Sequence, residues 1–447
     1  MLARRFREKM RVPSLDLGEA IMGRRLAMLS LASAVVLAIS ACGNAEPDTA
    51  GDDESSGRPG VSDTTIRVGG LISKANPVGR DYNQAVEGVE AYLDLVNDQG
   101  GVFGRQFEIL PVRDDQGRAS TQIEQAKALI DEDQVFAVLP IVTNTFSSAS
   151  TFVEAGTPTF GWNINREWQT GPNLFGEKGS ALCYGCVDEA LAWFMLEALG
   201  LQRAAVISYS VPQSKVCADG IVTSLEHFGA NVVYRNSALS FGFTDISADV
   251  TAIKDSDAQI LFTCMDVNGN VKAARELQGT GIVVQSPEGY DPTVPAEFGS
   301  AVEGFYFRTY FVPFEAAAAA DVTGMNAFLA AMKERDLEPT ELRLAGWVNA
   351  MLLVRGIKDA GESFTQQRVV DAINAIDDWT AEGVLAPIDW TLLNPDGTRA
   401  YPPDGTLDCA AWVRIEAGAF TPVFGQPGKP LVCLPNGTAD LRAVSYL

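Results

Sequence analysis

One histidine, His227, and seven cysteines limit the chemistry open to this chain of 447 residues. A single imidazole excludes metal sites built on paired histidines and leaves little room for a serine–histidine triad. No G-x-x-x-x-G-K-[ST] phosphate loop, H-E-x-x-H or G-x-S-x-G nucleophile elbow occurs. Asp114-Asp115 and Asp52-Asp53 place carboxylates side by side without the spacing of a calcium loop, so solvated surface explains them. Cys183-Tyr-Gly-Cys186 has C-x-x-C spacing but stands outside the small thioredoxin-like unit in which that spacing is reactive, and a local staple explains it better. No catalytic residue, metal ligand or cofactor is assigned.

The cysteines carry a different message. Arg24-Arg25 precede an uncharged run from Leu26 to Ile39, then Ser40-Ala41-Cys42. That order is the layout of an export signal, and the run is shorter than the roughly 20 residues of a membrane span. Leu37-Ala-Ile-Ser-Ala-Cys42 resembles a bacterial lipobox, whose cysteine takes up the two or more acyl chains that stable anchoring needs. Residues 1–41 are expected to be the signal peptide, with Met22 as the expected true start. Residues 42–63, rich in Gly, Asp, Ser and Glu, read as a flexible acidic tether. Removing residues 1–41 takes away seven basic and three acidic residues and moves the formal charge from −23 to −27. Such a balance argues against binding nucleic acid or anionic lipid through charge. Six cysteines then remain in an oxidising compartment, with fifteen possible pairings. Proximity and element layout favour Cys183–Cys186, Cys217–Cys264 and Cys409–Cys433.

From Thr65 onward, short β-branched runs alternate with helical periodicity. Ile66–Ile72, Phe107–Val112, Val135–Leu139 and Thr159–Trp162 read as strands, separated by helices at Tyr82–Asn97, Ala119–Asp131 and Ser147–Ala155. A second series follows, with strands at Ala204–Tyr209, Asn231–Arg235, Gln259–Thr263 and Ile282–Gln285. Its helices fall at Val187–Leu199, Ala218–Phe228, Asp245–Lys254 and Val271–Leu277. The pattern predicts two α/β units with parallel sheets. After a strand at Phe305–Phe311, helices at Met325–Arg335, Ala345–Ala360 and Thr365–Ile376 lead to a turn-rich tail with strands at Ala411–Ile415 and Phe420–Phe424.

Several segments, in order, resemble the Leu/Ile/Val-binding-like type 1 periplasmic binding family, whose members serve branched-chain amino-acid ABC importers. They are Ile66-Arg-Val-Gly-Gly-Leu, Asn97-Asp-Gln-Gly-Gly-Val-Phe-Gly104, Asp114-Asp115, Phe243-Thr-Asp-Ile-Ser247, Ala258-Gln-Ile-Leu261, Ser286-Pro-Glu-Gly289 and Val302-Glu-Gly304. The resemblance implies two doubly wound parallel-sheet lobes joined by three crossover strands near Asn173–Gly179, Gly304–Phe311 and Asp408–Ala411. Lobe 1 would comprise 64–175 and 309–408, and lobe 2 would comprise 176–308 and 409–447. A ligand would lie between them, where strand carboxyl ends face each other.

The resemblance further implies that Thr143, Asn144 and Thr145, with Trp162, Asn163 and Asn165, form the lobe 1 face of the pocket, and Tyr82 a further wall. Free N–H groups at the start of the helix Ser147–Ala155 would assist them. Asn163 and Asn165 stand where the family usually shows a small residue and then a threonine. Tyr209, Asp266 and Glu288 would complete the pocket from lobe 2, with Glu288 receiving an α-ammonium group. The implied function is capture of a small polar solute, a branched-chain or related amino acid, and its delivery to ABC permease subunits. The protein would be exported and held on the outer face of the cytoplasmic membrane by lipid alone. The alternatives from other classes are an extracellular α/β hydrolase of amidase type and a ligand-sensing ectodomain of the same fold. A palmitate analogue fed to cells is expected to label the wild type and not Cys42→Ala, which should appear in the medium. Label retained on the alanine variant would refute the lipobox.

Overall fold

The computed structural model describes residues 58–76, 80–179 and 186–447. The expected signal peptide, Cys42, most of the tether and Cys183 lie outside the described residues.

The first sheet contains β1 (Thr65–Ile72), β2 (Gln106–Ile109), β3 (Arg113–Asp114), β4 (Ala137–Val142), β5 (Thr159–Gly161) and β6 (Leu174–Gly176). All its pairings are parallel, in the order β2-β1-β4-β5-β6, with β3 also on β1. Continuous burial along β4 and β5 matches a parallel sheet covered on both faces. The covering helices include α1 (Asn83–Asp98), α2 (Ala119–Asp131) and α3 (Ala149–Ala155).

The second series begins with α4 (Glu189–Trp193), which continues as a wider turn to Ala198. It goes on through β7 (Arg203–Tyr209), α5 (Pro212–His227), β8 (Asn231–Leu239), α6 (Ser247–Asp255), β9 (Ile260–Cys264) and α7 (Val267–Leu277). Then come β10 (Val283–Ser286), α8 (Thr293–Phe298) and β11 (Tyr306–Thr309). Strands β8, β7, β9, β10 and β11 lie side by side in parallel. Their sheet is then extended by antiparallel strands β12 (Leu407–Glu416), β13 (Ala419–Val423), β14 (Val432–Pro435) and β15 (Ser445–Tyr446). β14 and β15 are too short to show a period in the sequence, and they exist because β12 offers an open edge.

Between β11 and β12 the chain returns to the first sheet. It forms α9 (Ala317–Ala320), α10 (Thr323–Glu334), α11 (Glu341–Ala360) and α12 (Gln366–Ile373). The third passage lies upstream of the expected Asp408–Ala411, because Asp408 already pairs with Leu434 inside the β12–β14 ladder. The buried Arg399 marks where that passage starts: its guanidinium donates to the carbonyls of Pro172 (2.8 Å) and Leu174 (3.2 Å) beside β6, and sits between the Phe175 and Trp390 rings.

Helix α11 seats against α1 at a contact without side chains. A Cβ on Gly346 would come within 1.9 Å of the Ala85 carbonyl oxygen, and one on Gly88 within 1.9 Å of the Arg343 carbonyl oxygen. Each helix therefore accepts the other's backbone, which sets where the first residue of α11, Glu341, falls relative to Tyr82 at the start of α1. Gly346→Ala is expected to lower stability by roughly 1–3 kcal/mol through this overpacking, despite the better helix propensity of alanine. Chemical denaturation would measure it, and an unchanged or raised midpoint would contradict the contact.

Candidate functional site

The carboxyl ends of both parallel sheets open onto one cavity of about 1370 Å³. From the first sheet come Tyr82, Asn144 and Thr145 after β4, Trp162 and Ile164 after β5, and Lys178 after β6. The second sheet contributes Tyr209 at the end of β7, Phe241 after β8, Met265 and Asp266 after β9, Glu288 after β10 and Tyr310 after β11. Leu385, Ile388 and Leu392, from the return segment, add an apolar wall.

Seven of the ten expected ligand residues thus share one cavity. Tyr82 is buried, donates its hydroxyl to Asn144 Oδ1 at 2.8 Å and meets the Trp162 ring edge-on at 5.7 Å. Tyr209 donates to Asp266 Oδ2 at 2.7 Å, and the other Asp266 oxygen caps α7 through the Gly269 N–H at 2.9 Å. Asp266 therefore has a helix-capping task in addition to its place in the wall.

Thr143, Asn163 and Asn165 are absent from the lining and buried behind it. The Thr143 hydroxyl donates to the Thr145 carbonyl oxygen at 2.7 Å. Asn163 ties β5 to the turn after β6, donating to the Gly179 carbonyl (3.1 Å) and accepting from the Lys178 N–H (3.1 Å). Turn geometry uses the same side chains as ligand recognition does, and a pattern of residue types does not separate the two. The N–H groups expected free near α3 are also partly used, since the Ser148 N–H donates to Gln122 Oε1 at 3.0 Å.

Glu288 is the residue expected to receive an α-ammonium group. It lines the cavity, but its carboxylate already accepts from the Arg80 guanidinium at 3.1 Å, and both side chains are largely buried. Arg80 comes from the first-sheet side, so this ion pair spans the two sheets. Gln213, at the start of α5, does the same by donating to the Asn144 carbonyl oxygen at 3.3 Å.

Several charged groups had no marker in the sequence. Glu177 is buried at the end of β6, where it accepts from the Asn163 N–H (3.0 Å) and the Tyr310 hydroxyl (3.3 Å), with the Lys178 ammonium 3.9 Å away. Burial raises its carboxyl to about 7, a shift that Lys178 only partly opposes. The Lys178 ammonium lies 4.8 Å from the Tyr310 ring centre and 5.9 Å from that of Trp162. Glu341, the first residue of α11, lines the cavity with 8% exposure and is also raised by burial. At the far end, Arg308 on β11 pairs with Asp188 ahead of α4 and with Asp408 on β12 at 3.6 Å. One guanidinium thereby ties β11 to the segment ahead of α4 and to β12. Burial and the nearby Asp188 push Asp408 upward.

Two of the expected disulfides are present. Cys217–Cys264 joins α5 to the end of β9 at the cavity rim, and Cys409–Cys433 joins β12 to β14. Cys186 is also disulfide-bonded. Among the described residues there is no group of carboxylate, histidine and cysteine side chains able to hold a metal, and no helix is long and apolar enough to cross a membrane.

The sequence profile of the periplasmic binding protein family matches residues 65–403. A Leu/Ile/Val-binding protein homolog 3 of Brucella melitensis is 22% identical over 323 residues, covering 69% of this chain and 83% of that protein. Among solved structures, a solute-binding protein from R. palustris in complex with benzoate has a TM-score of 0.64 at 18% identity, covering 82% of this chain and 97% of that one. A branched-chain amino acid ABC transporter protein from Thermus thermophilus with bound valine also has a TM-score of 0.64, at 17% identity, covering 81% and 96%.

The buried acids make stability depend on pH in a defined direction. Folded Glu177 holds its proton up to about 7, against an ordinary value of 4.5. Its protonated form therefore stabilises the fold at acid pH, and that contribution is lost as pH rises from about 4.5 to about 7. Urea unfolding across this window is expected to show a fall in wild-type stability that is shallower in Glu177→Gln. Identical pH profiles would show that Glu177 ionises as an ordinary surface acid does.

Proposed function

The chain belongs to the periplasmic binding protein family, and from that premise we propose that it is the solute receptor of an ABC importer, held outside the cytoplasm by lipid on Cys42. The family binds solutes and does not transform them, so the chain is not an enzyme and the amidase-like alternative is set aside. The observation that carries the proposal is the single cavity between the carboxyl edges of both sheets. A solute seated there touches both halves at once, so its binding energy favours their closed arrangement over an open one.

The ligand we propose is a branched-chain or related amino acid. Trp162, Ile164, Phe241, Met265, Leu385 and Ile388 offer an apolar surface to a hydrocarbon side chain, and polar groups gather beside Tyr82 and Glu288. The valine-bound and benzoate-bound neighbours support a small organic solute with an apolar body. A sensing ectodomain would close on the same ligand. Uptake by vesicles carrying the permease and its ATPase separates the two readings.

A thermal-shift screen over amino acids, amides, urea and aromatic acids tests the proposal. A true ligand at about a hundred times its dissociation constant is expected to add roughly 2.7 kcal/mol of stability. Trp162→Ala, which removes the ring from the wall, is expected to weaken binding by about tenfold or more. A screen in which no small solute stabilises the protein would overturn the receptor reading.

A further inference from the structure

Helix α5 gives the cavity a length. Gln213, Val216, Cys217, Gly220 and Ile221 fall on one face of that helix at helical spacing, and all five line the cavity. The stripe advances about 12 Å along the helix axis. Hydrogen bonds mark its two ends. Gln213 donates to the Asn144 carbonyl oxygen at 3.3 Å, and the Asn144 side chain accepts from Tyr82. One turn past Ile221, Ser224 Oγ accepts from the Asp188 N–H at 2.8 Å, where Arg308 pairs with Asp188 and Asp408. Leu191, whose N–H donates to Asp188 Oδ1, and Leu407, next to Asp408, line the cavity at this end with Ile221. Leu392 and Tyr401, from the segment that leads to β12, line it as well. Tyr401 and Leu407 are 41% and 44% exposed, among the large apolar side chains most open to water in the described residues. The charges there satisfy one another, and apolar faces are left uncovered.

Leucine does not reach that far. From carboxyl carbon to methyl it is about 5 Å long, at the advance per bond of an extended backbone. With its polar head beside Tyr82 and Asn144, its methyl groups stop in the first half of the stripe. The cavity of about 1370 Å³ also exceeds the roughly 300–1,000 Å³ of ordinary small-molecule pockets. We propose that the solute is amphipathic, with an apolar tail longer than that of leucine, and that the end of the cavity between α5 and Leu392, Tyr401 and Leu407 takes this tail. The inference rests on the solute-receptor reading and sets the size of the amino acid it receives. Drawing the two halves together does not fill this end, because most of its walls belong to the second sheet's side and are fastened to one another. Cys217–Cys264 holds α5 to β9, Cys409–Cys433 holds β12 to β14, and Arg308 on β11 holds Asp188 and Asp408. Such elements move as one body when a hinge closes.

Amino acids with one head and growing tails measure this end of the cavity: L-norvaline, L-norleucine, L-2-aminooctanoate and L-2-aminodecanoate, with L-leucine as reference. Calorimetry on the wild type is expected to show affinity rising about three- to fourfold for each added methylene through the longest member. The heat-capacity change of binding should grow more negative at each step. Val216→Trp sets a ring into the middle of the stripe and is expected to end the rise at norleucine. Leu407→Ser, at an exposed position where losing the side chain spares the core, is expected to reduce the gain of 2-aminodecanoate over 2-aminooctanoate. It keeps the test open if Val216→Trp does not fold. Affinity that peaks at leucine or norleucine and falls for the longer members would overturn the tail site and leave the receptor function intact. Variants that weaken every member alike, the shortest included, would place these residues at the head of the solute and overturn it too. Silence of all five amino acids overturns the inference, and the wider solute screen then decides whether the receptor reading stands.

Discussion

The backbone contact between α1 and α11 is the constraint on which the rest of the arrangement depends. Gly88 and Gly346 let two helices approach until one carbonyl lies where the other's Cβ would be. The second of those helices enters the chain only after the second parallel series is complete, so the first half cannot finish its own core from contiguous sequence. Trp347 of α11 packs edge-on against Tyr92 of α1, and residues such as Leu353 and Ile357 join the core cluster containing Val68 and Phe160. The chain must therefore pass between the two sheets repeatedly. Arg308 on β11 ties together the start of the second series and the strand that follows the return, by holding Asp188 ahead of α4 and Asp408 on β12.

That seating also decides the electrostatics of the cavity. It delivers Glu341 to the cavity wall, where burial raises its carboxyl and Lys178 and Arg80 are close enough to oppose the shift. Inside a protein an ion pair is worth keeping only when both partners are satisfied, since removing either leaves a charge in a poor solvent. Arg80 and Glu288 meet that condition across the two sheets, and Gln213 adds a hydrogen bond to the Asn144 carbonyl. These groups satisfy each other between the two sheets, and Glu341 lines the same cavity. The Cys217–Cys264 disulfide makes the opposing rim stiffer by tying α5 to β9.

The alternation of β-branched runs and amphipathic stretches was legible because a parallel strand and its crossover helix each have their own hydrophobic period. The α/β class, the alternation of β7 to β10 with their helices and the ordered segments of the family resemblance all follow from local residue choice. Helix α7 shows the limit: it starts at Val267 rather than Val271 because Asp266 caps it, and its first turn lacks an apolar period. Seven expected ligand residues reach the cavity because they follow strand ends, a position that the pattern does reveal. Thr143 and Asn163 follow strand ends equally well, yet their hydrogen bonds go to the chain itself.

The sequence by itself determined the main parallel strands and their covering helices, where the carboxyl ends of those strands fall, and that cysteines are numerous while histidine is nearly absent. Only the tertiary structure decided which charges meet. Arg80 and Glu288 are 208 positions apart, and Arg308 lies 120 positions from Asp188. Glu341 stands at a helix start like any other acidic residue in a first turn. Pairing and burial at such separations depend on how two sheets and a returning helix pack, and no local period encodes the distance between a carboxylate and a cation that the chain brings together from far away.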